Sequence, residues 1–355
     1  MDKISVTLTA APKQKPAGPD IPFGVYTTDH MFLMNYNPTE GWHDARIVPY
    51  GPFQIDPACM VLHYAQEIFE GMKAYRDEAG NVRLFRPEEN FKRMNSSCER
   101  MSIPPIDVDF CVEAVKQLVT LEKDWVPSAP NTSLYIRPFI FATDNHVGVH
   151  ASHTYLFAVI LSPVGPYYAT GLAPVSIMIE EEDVRAVRGG TGFTKCGGNY
   201  AASLRAGEKA EEKGFSQVLW LDGVERKYIE EVGSMNVLFK IAGKIVTPAL
   251  NGSILPGITR KSCLQLLRDK GYEVEERRLS VDELISAARD GSLEEAFGSG
   301  TAAVVSPIGS LYYKGETFVI SGGGIGPVAQ DLYDTLTGIQ WGRVADPYGW
   351  SHVIC

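Results

Sequence analysis

Gly189-Gly190-Thr191-Gly192-Phe193-Thr194-Lys195-Cys196-Gly197-Gly198-Asn199-Tyr200 sets one lysine among glycines. Glycine allows turns and close backbone approach that other residues resist sterically. A lysine fixed on such a scaffold suits chemistry, because crowded lysines shift their pKa readily and form Schiff bases with carbonyl compounds. The plain alternative, on this segment alone, is an exposed lysine in an ordinary glycine-rich turn. A phosphate-cradling P-loop is excluded, since GxxxxGK[ST] fits neither Thr194 before the lysine nor Cys196 after it. No HExxH metal site and no GxSxG nucleophile elbow occurs. Gly322-Gly323-Gly324-Ile325-Gly326 lacks the strand–helix context of a dinucleotide fingerprint and reads as a surface loop.

Outward from the lysine, apolar patterning alternates between short strands and helices. Before it, 61–64 and 84–85 read as strand pieces, 109–124 as a helix, and 133–140 and 154–161 as buried strands. Ser162-Pro163-Val164-Gly165-Pro166-Tyr167-Tyr168 reads as a connection, so domains are expected at 1–165 and 177–355 with an interdomain loop over 166–176. After the lysine, a helix is expected over 200–213 and stopped by Gly214, with strands at 175–179, 217–221 and 229–239. Ile258 and Thr259 precede an expected helix over 260–270, another covers 281–289, and 302–305 is extended. Both halves read as mixed α/β.

Composition narrows the class. A chain of 355 residues, 45% hydrophobic and 21% charged, is long enough for two soluble domains. Its formal net charge of −10 disfavours nonspecific nucleic-acid binding. Six scattered cysteines without a CxxC pair argue against a disulfide scaffold or a zinc site and suggest reduced thiols in a cytoplasm. No secretory signal and no bilayer-length apolar run is visible, so no membrane partner is expected.

A Schiff-base lysine working with pyridoxal phosphate needs a phosphate cup, an acid beside the ring nitrogen and a hydroxyl near the phenolic oxygen. Leu255-Pro256-Gly257-Ile258-Thr259-Arg260 opens a helix whose N–H groups would attract phosphate, although a simple helix cap fits the same spacing. Gly298-Ser299-Gly300-Thr301-Ala302 is a second turn rich in N–H groups. In Glu230-Glu231, alternation sends the two carboxylates to opposite faces, so one should point inward. An ion pair at roughly 4 Å and an effective dielectric near 20 is worth on the order of 4 kcal/mol, about 3 pKa units, enough to keep a pyridinium protonated.

Several runs resemble branched-chain-amino-acid aminotransferases, fold-type IV pyridoxal-phosphate enzymes. They are 64–75 (YAQEIFEGMKAY), 134–138 (LYIRP), 162–167, 195–203, 231–236 (EVGSMN), 255–259 and 298–302, in order across about 25–350. The resemblance implies a two-domain α/β fold, a small N-terminal domain and a larger C-terminal one with a barrel-like sheet. Lys195 is then similar to the lysine that binds the cofactor and shuttles the proton, Glu231 to the partner of the ring nitrogen, and Tyr200 to the phenol beside the phenolic oxygen. Arg93, Ile258, Thr259 and Thr301 would hold the phosphate. Phe69, Tyr64, Tyr135, Tyr167 and Tyr200 would line an aromatic substrate pocket together with Ser234. Thr301 and Ala302 would hold the α-carboxylate by their N–H groups, and Arg137 the distal carboxylate of glutamate. Val147 and Val149 resemble residues that reach into the partner's pocket across a homodimer interface. The redox CxxC of some eukaryotic relatives is absent, the positions reading Ala303-Val304-Val305-Ser306. A cytoplasmic enzyme acting on small amino and 2-oxo acids is expected. A D-amino-acid aminotransferase or aminodeoxychorismate lyase of the same fold, or a non-catalytic binding protein on that scaffold, remains open at this point.

Overall fold

A computed structural model describes residues 3–166 and 172–355. Contacts gather the described residues up to 166, with Thr194–Gly197 and Gly338–Cys355, into a first unit. Those from 172 to Phe193, with Gly198–Thr337, form a second. This differs from the continuous domains expected above. The C-terminal return belongs to the first unit because Ser351–Val353 pairs antiparallel with Val82–Phe85. Val82 N–H also donates to the Cys355 carbonyl at 2.8 Å, and Ile354 N–H to that of Val82 at 2.9 Å. The strand Val175–Ile179 starts inside the expected linker.

The first unit is a nine-stranded sheet whose central pair is Ser133–Ala142 against Tyr155–Val164, antiparallel and in continuous register. Alternation along these strands decides what each face does. Leu134, Ile136 and Ile140, with Phe157 and Val159, join one core cluster with Phe91, Met94, Val112, Val115 and Leu118 from the helices Pro87–Arg100 and Val108–Leu121. Burying each large apolar side chain contributes about 1.5–3 kcal/mol. Asp107 fixes the start of the second helix by accepting from Phe110 N–H at 2.9 Å. The odd-numbered residues Tyr135, Arg137 and Phe139 therefore face away from those helices.

The second unit is built on a closed barrel. Around it run Ile229–Val232, Gln217–Leu221, Val175–Ile179, Val304–Tyr313, Leu293–Gly300 and Met235–Ile241, which pairs back onto Ile229–Val232. Val175–Ile179 is parallel to both neighbours and the remaining barrel pairs are antiparallel. Closure leaves these six strands without a free edge. Lys244–Pro248 and Val274–Arg277 extend the sheet beyond Met235–Ile241. This is the mixed α/β, barrel-containing fold that the resemblance implied.

Several local readings change. Val61–Tyr64 is a helical turn, not a strand piece: Tyr64 N–H bonds Met60 O at 2.9 Å, and Ala65 N–H bonds Val61 O at 3.1 Å. Ser162, Pro163 and Val164 finish a strand, with Pro163 opposite Leu134. Residues 229–239 hold two strands hinged at Gly233, whose φ of +55° makes the turn. The helix expected over 200–213 is two, Gly197–Ala201 and Leu204–Glu212. Ile258 and Thr259 lie inside the helix Ile258–Asp269, and Thr301 to Ala303 form a turn before the strand that begins at Val304. The described cysteines are all free thiols. No described helix is long and apolar enough to cross a membrane.

Candidate active site

Lys195 is held by its own backbone between two elements of the first unit. Its carbonyl accepts from Phe69 N–H at 2.8 Å, on the strand Glu67–Phe69. Its N–H donates to Ser97 Oγ at 3.1 Å, a hydroxyl buried on the helix Pro87–Arg100. The Lys195 ammonium lies 4.5 Å from the centre of the Phe69 ring, a cation–π contact. Two glycines of the loop are required by space. A Cβ on Gly197 would strike the Glu67 carboxylate that its N–H bonds, and one on Gly192 would strike the Ser253 carbonyl and Ala186. Burial pushes the Glu67 carboxyl above the ordinary range, with the Gly197 N–H and the Arg137 charge pulling it down.

Phe69 is shared by a second cation. The Arg137 guanidinium stands 4.6 Å from the centre of the same ring, and its Nη2 donates to the Tyr135 hydroxyl at 2.9 Å. Tyr135 in turn meets Phe23, ring centres 4.9 Å apart. Lys73 pairs in register with Tyr135 and so shares its face, and burial pushes its amine down to about 8. Phe69 and Tyr135 thus form an aromatic wall that bears the half-buried Arg137.

Arg93 is buried on the helix Pro87–Arg100 and forks onto Glu70, Nε to Oε1 and Nη2 to Oε2, each 2.8 Å. Glu70 is fully buried and also accepts from Asn90 Nδ2 at 2.8 Å. No local pattern in the sequence marks Glu70 for a role. Its geometry makes it the residue that orients Arg93, a bidentate contact suited to the guanidinium fork.

In the barrel, Glu230 and Glu231 are both buried, which corrects the expectation of a single inward carboxylate. Both sides of this closed sheet are covered. Glu231 Oε2 pairs with Arg185 at 2.6 Å, and its Oε1 accepts from Asn236 Nδ2 at 3.1 Å and Leu255 N–H at 3.3 Å. Arg185, unnoticed in the sequence, also donates to the carbonyls of Gly192 and Ser253 at 3.1 and 2.5 Å. It therefore ties the glycine loop to the Glu231 strand. Glu230 accepts from Ser253 Oγ and from Asn251 Nδ2.

The helix Ile258–Asp269 begins without a side-chain cap, which leaves first-turn N–H groups directed at an incoming anion. Thr259 is buried in that turn. Asn236 donates to Leu255 O at 2.9 Å just ahead of it and pairs in register with Ser299. Ser299 Oγ is buried without a partner, two residues before the half-buried Thr301 and three before Ala302. An orphaned hydroxyl and an uncapped helix start are a donor set that a phosphate group satisfies, and the buried Arg185–Glu231 pair suits a ring nitrogen. Pyridoxal phosphate therefore fits the residues present.

The remaining expected residues differ in burial. Tyr200 lies half-buried on Gly197–Ala201. Ser234 is exposed at the hairpin turn between two buried neighbours. Tyr64 is 37% exposed, Val147 65% and Val149 85%, so within one chain they line no enclosed wall. Tyr167 lies outside the described residues.

Residues 67–311 match the family described as amino-transferase class IV. Branched-chain-amino-acid aminotransferase 2 of Bacillus subtilis (strain 168) is 58% identical over 348 residues, 98% of this chain and 96% of the relative. The crystal structure of the Escherichia coli branched-chain amino acid aminotransferase superposes with a TM-score of 0.76 at 27% identity, covering 92% of this chain and 99% of that one. The branched-chain amino acid aminotransferase from Thermobaculum terrenum, in its PLP-bound holo-form, shares the fold with a TM-score of 0.73 at 22% identity, over 91% and 98%. At this identity and coverage, the protein belongs to the branched-chain-amino-acid aminotransferases, pyridoxal-phosphate-dependent enzymes of class IV.

Proposed function

We propose that this chain exchanges the amino group of leucine, isoleucine or valine with 2-oxoglutarate, giving the branched 2-oxo acid and glutamate in two ping-pong half reactions. Bound pyridoxal phosphate supplies an electron sink for the charge that develops at the substrate Cα. Lys195 anchors the cofactor covalently at rest and, once displaced, its amine carries the proton from Cα. The Phe69 ring against that amine limits water around it. Glu231, kept charged and aimed by Arg185 and Asn236, holds the ring nitrogen protonated. Arg93, oriented by Glu70, takes the phosphate with Ile258, Thr259 and Thr301. Tyr200 donates to the phenolic oxygen.

The observation that carries the substrate assignment is Arg137 lying over Phe69 and against Tyr135. Branched side chains gain from the aromatic surface, whereas glutamate needs a cation for its distal carboxylate, and one wall offers both. Tyr64, Tyr167, Ser234 and the N–H groups of Thr301 and Ala302 complete the substrate contacts in this reading. Val147 and Val149, exposed on one chain, reach the pocket of the second subunit of a homodimer. The enzyme works in the cytoplasm.

The test is Arg137→Ala and Arg137→Gln, assayed with glutamate and with leucine. Losing a charge-assisted contact costs about 1.5–3 kcal/mol, so kcat/KM for glutamate should drop roughly 10–150-fold. Leucine should lose less than about fivefold. Equal losses for the two substrates would make Arg137 a structural residue and remove the assignment.

A further inference from the structure

We infer that Asp144, His150 and His153 form a binding site for a borderline divalent transition-metal ion such as zinc, separate from the cofactor residues. One ligand atom from each lies within 4.8 Å of the others. His150 Nε2 is 3.5 Å and His153 Nδ1 3.0 Å from Asp144 Oδ2. In a tetrahedral zinc site with bonds near 2.0–2.1 Å, ligand atoms stand about 3.3–3.4 Å apart, so two of the three edges are already formed. His153, 70% exposed at its side chain, is free to close the third by a small rotation.

The surrounding hydrogen bonds point the same way. His150 Nδ1 lies 2.9 Å from the Gly148 carbonyl, an acceptor, so Nδ1 carries the hydrogen. In the neutral ring that leaves a lone pair on Nε2, facing a carboxylate oxygen. Two acceptors facing one another repel, and a cation between them turns the repulsion into ligation. A backbone carbonyl on the far ring nitrogen is also the usual outer contact of a metal-bound histidine. The carboxylate is held independently, because Asp144 Oδ1 accepts from Thr154 Oγ1 at 2.6 Å and from Thr154 N–H at 3.1 Å. Thr154 Oγ1 is itself bonded to Thr143 Oγ1 at 2.8 Å.

Ligand chemistry selects the ion. Two imidazoles and one carboxylate favour zinc, cobalt or nickel over magnesium and calcium, which seek mostly oxygen. Water fills the remaining position on this exposed face. Binding takes one lone pair from each imidazole. His153 accordingly moves its Nδ1 proton to Nε2 when Nδ1 takes the metal. Bound metal would cross-link the loop between Ala142 and Tyr155, which presents Val147 and Val149.

The experiment uses the full-length, cofactor-loaded protein treated with EDTA and dialysed, in a Cys355→Ser background because that thiol is exposed and would bind zinc itself. Zinc is titrated calorimetrically near neutral pH, and cobalt(II) is followed by its visible d–d absorption. The expected result is one ion per chain, with His150→Ala and His153→Ala each weakening zinc binding at least tenfold and losing the tetrahedral cobalt spectrum. His352→Ala, on the C-terminal strand, should leave both unchanged. Asp144 is left intact because it also anchors the loop's N–H groups. Absence of one-per-chain binding at 0.1 mM zinc would overturn the site and leave a proton as what reconciles His150 with Asp144. Equal binding by the wild type and a folded His150→Ala/His153→Ala double variant would overturn it as well.

Discussion

Arg185 offers the sharpest test of how the barrel holds its acid. Its Nη2 is 2.6 Å from Glu231 Oε2, with the two side chains 8% and 4% exposed. Replacing it by leucine leaves Glu231 buried without its guanidinium partner, while the neutral donors Asn236 Nδ2 and Leu255 N–H stay in place. Removing one partner of a buried ion pair costs about 3–5 kcal/mol, because the stranded charge keeps its desolvation penalty. The Gly192 and Ser253 carbonyls also lose their donor, at about 1 kcal/mol each. At roughly 2–4 °C per kcal/mol for a unit of this size, the barrel's calorimetric transition should fall by on the order of 10 °C in Arg185→Leu. The decisive comparison adds Glu231→Gln and the double variant, all as apoprotein so that cofactor affinity does not enter. Glu231→Gln alone strands a buried guanidinium and should also destabilise. The double variant should recover most of the ion-pair share and retain only the carbonyl share, a coupling of about 3 kcal/mol. Additive losses within about 0.5 kcal/mol would refute the pairing as the device that holds Glu231.

Two further outcomes follow from the lysine loop. Lys195→Ala should abolish transamination and also the cofactor label that borohydride reduction leaves on the wild-type peptide containing this loop; near-normal turnover would remove its role. Glu67→Gln tests the half-buried carboxyl under Gly197 through pH. Burial raises the folded-state pKa of Glu67 above its ordinary value of 4.5, so its contribution to stability is present below that value and is lost as pH rises through the folded pKa. The variant lacks this titration. Its stability relative to wild type should therefore improve as pH rises from 4.5 through the folded pKa of Glu67 in urea melts, and a flat difference across that rise would show that Glu67 does not titrate there.

Legibility in the sequence follows the range of the interactions. The helix Val108–Leu121 is plain because its apolar residues repeat at helical spacing, although its start at the Asp107 cap lies ahead of the expected 109. Ser133–Ala142 is plain from its β-rich composition. Val61–Tyr64 misleads because Val and Tyr lean towards strands, while the hydrogen bonds of so short a piece are settled by the chain around it. The C-terminal strand Ser351–Val353 is fixed by pairing with Val82–Phe85, and nothing local in its composition announces that partner. Lys195 is legible because glycines cluster beside it, yet the reason for two of them lies in distant residues, Glu67 and Ser253. Arg185 carries no local signal of any kind, and Glu70 shows only as one letter of the 64–75 run, with nothing there to mark it as the partner of Arg93. A single charged residue in a mixed segment reads as a solvated one until the fold supplies its partner.

Glu230 and Glu231 show where a sound local rule stops. Alternation does send them to opposite faces of one strand, and in an open sheet with one wet face that would expose one of them. A closed barrel with further structure packed outside offers no wet face, so both carboxylates are buried and each requires donors. Ser253 links the two arrangements, although Glu230 Oε2 itself is left without a partner. The Ser253 hydroxyl donates to Glu230, and its carbonyl accepts from the Arg185 that pairs with Glu231. Two acids on opposite faces are thereby tied to one loop residue. The loop reaches Gly192 by the same guanidinium, three residues before the lysine. A change at Glu230 should consequently be felt at Glu231 through Ser253 and Arg185, although the two side chains never face each other.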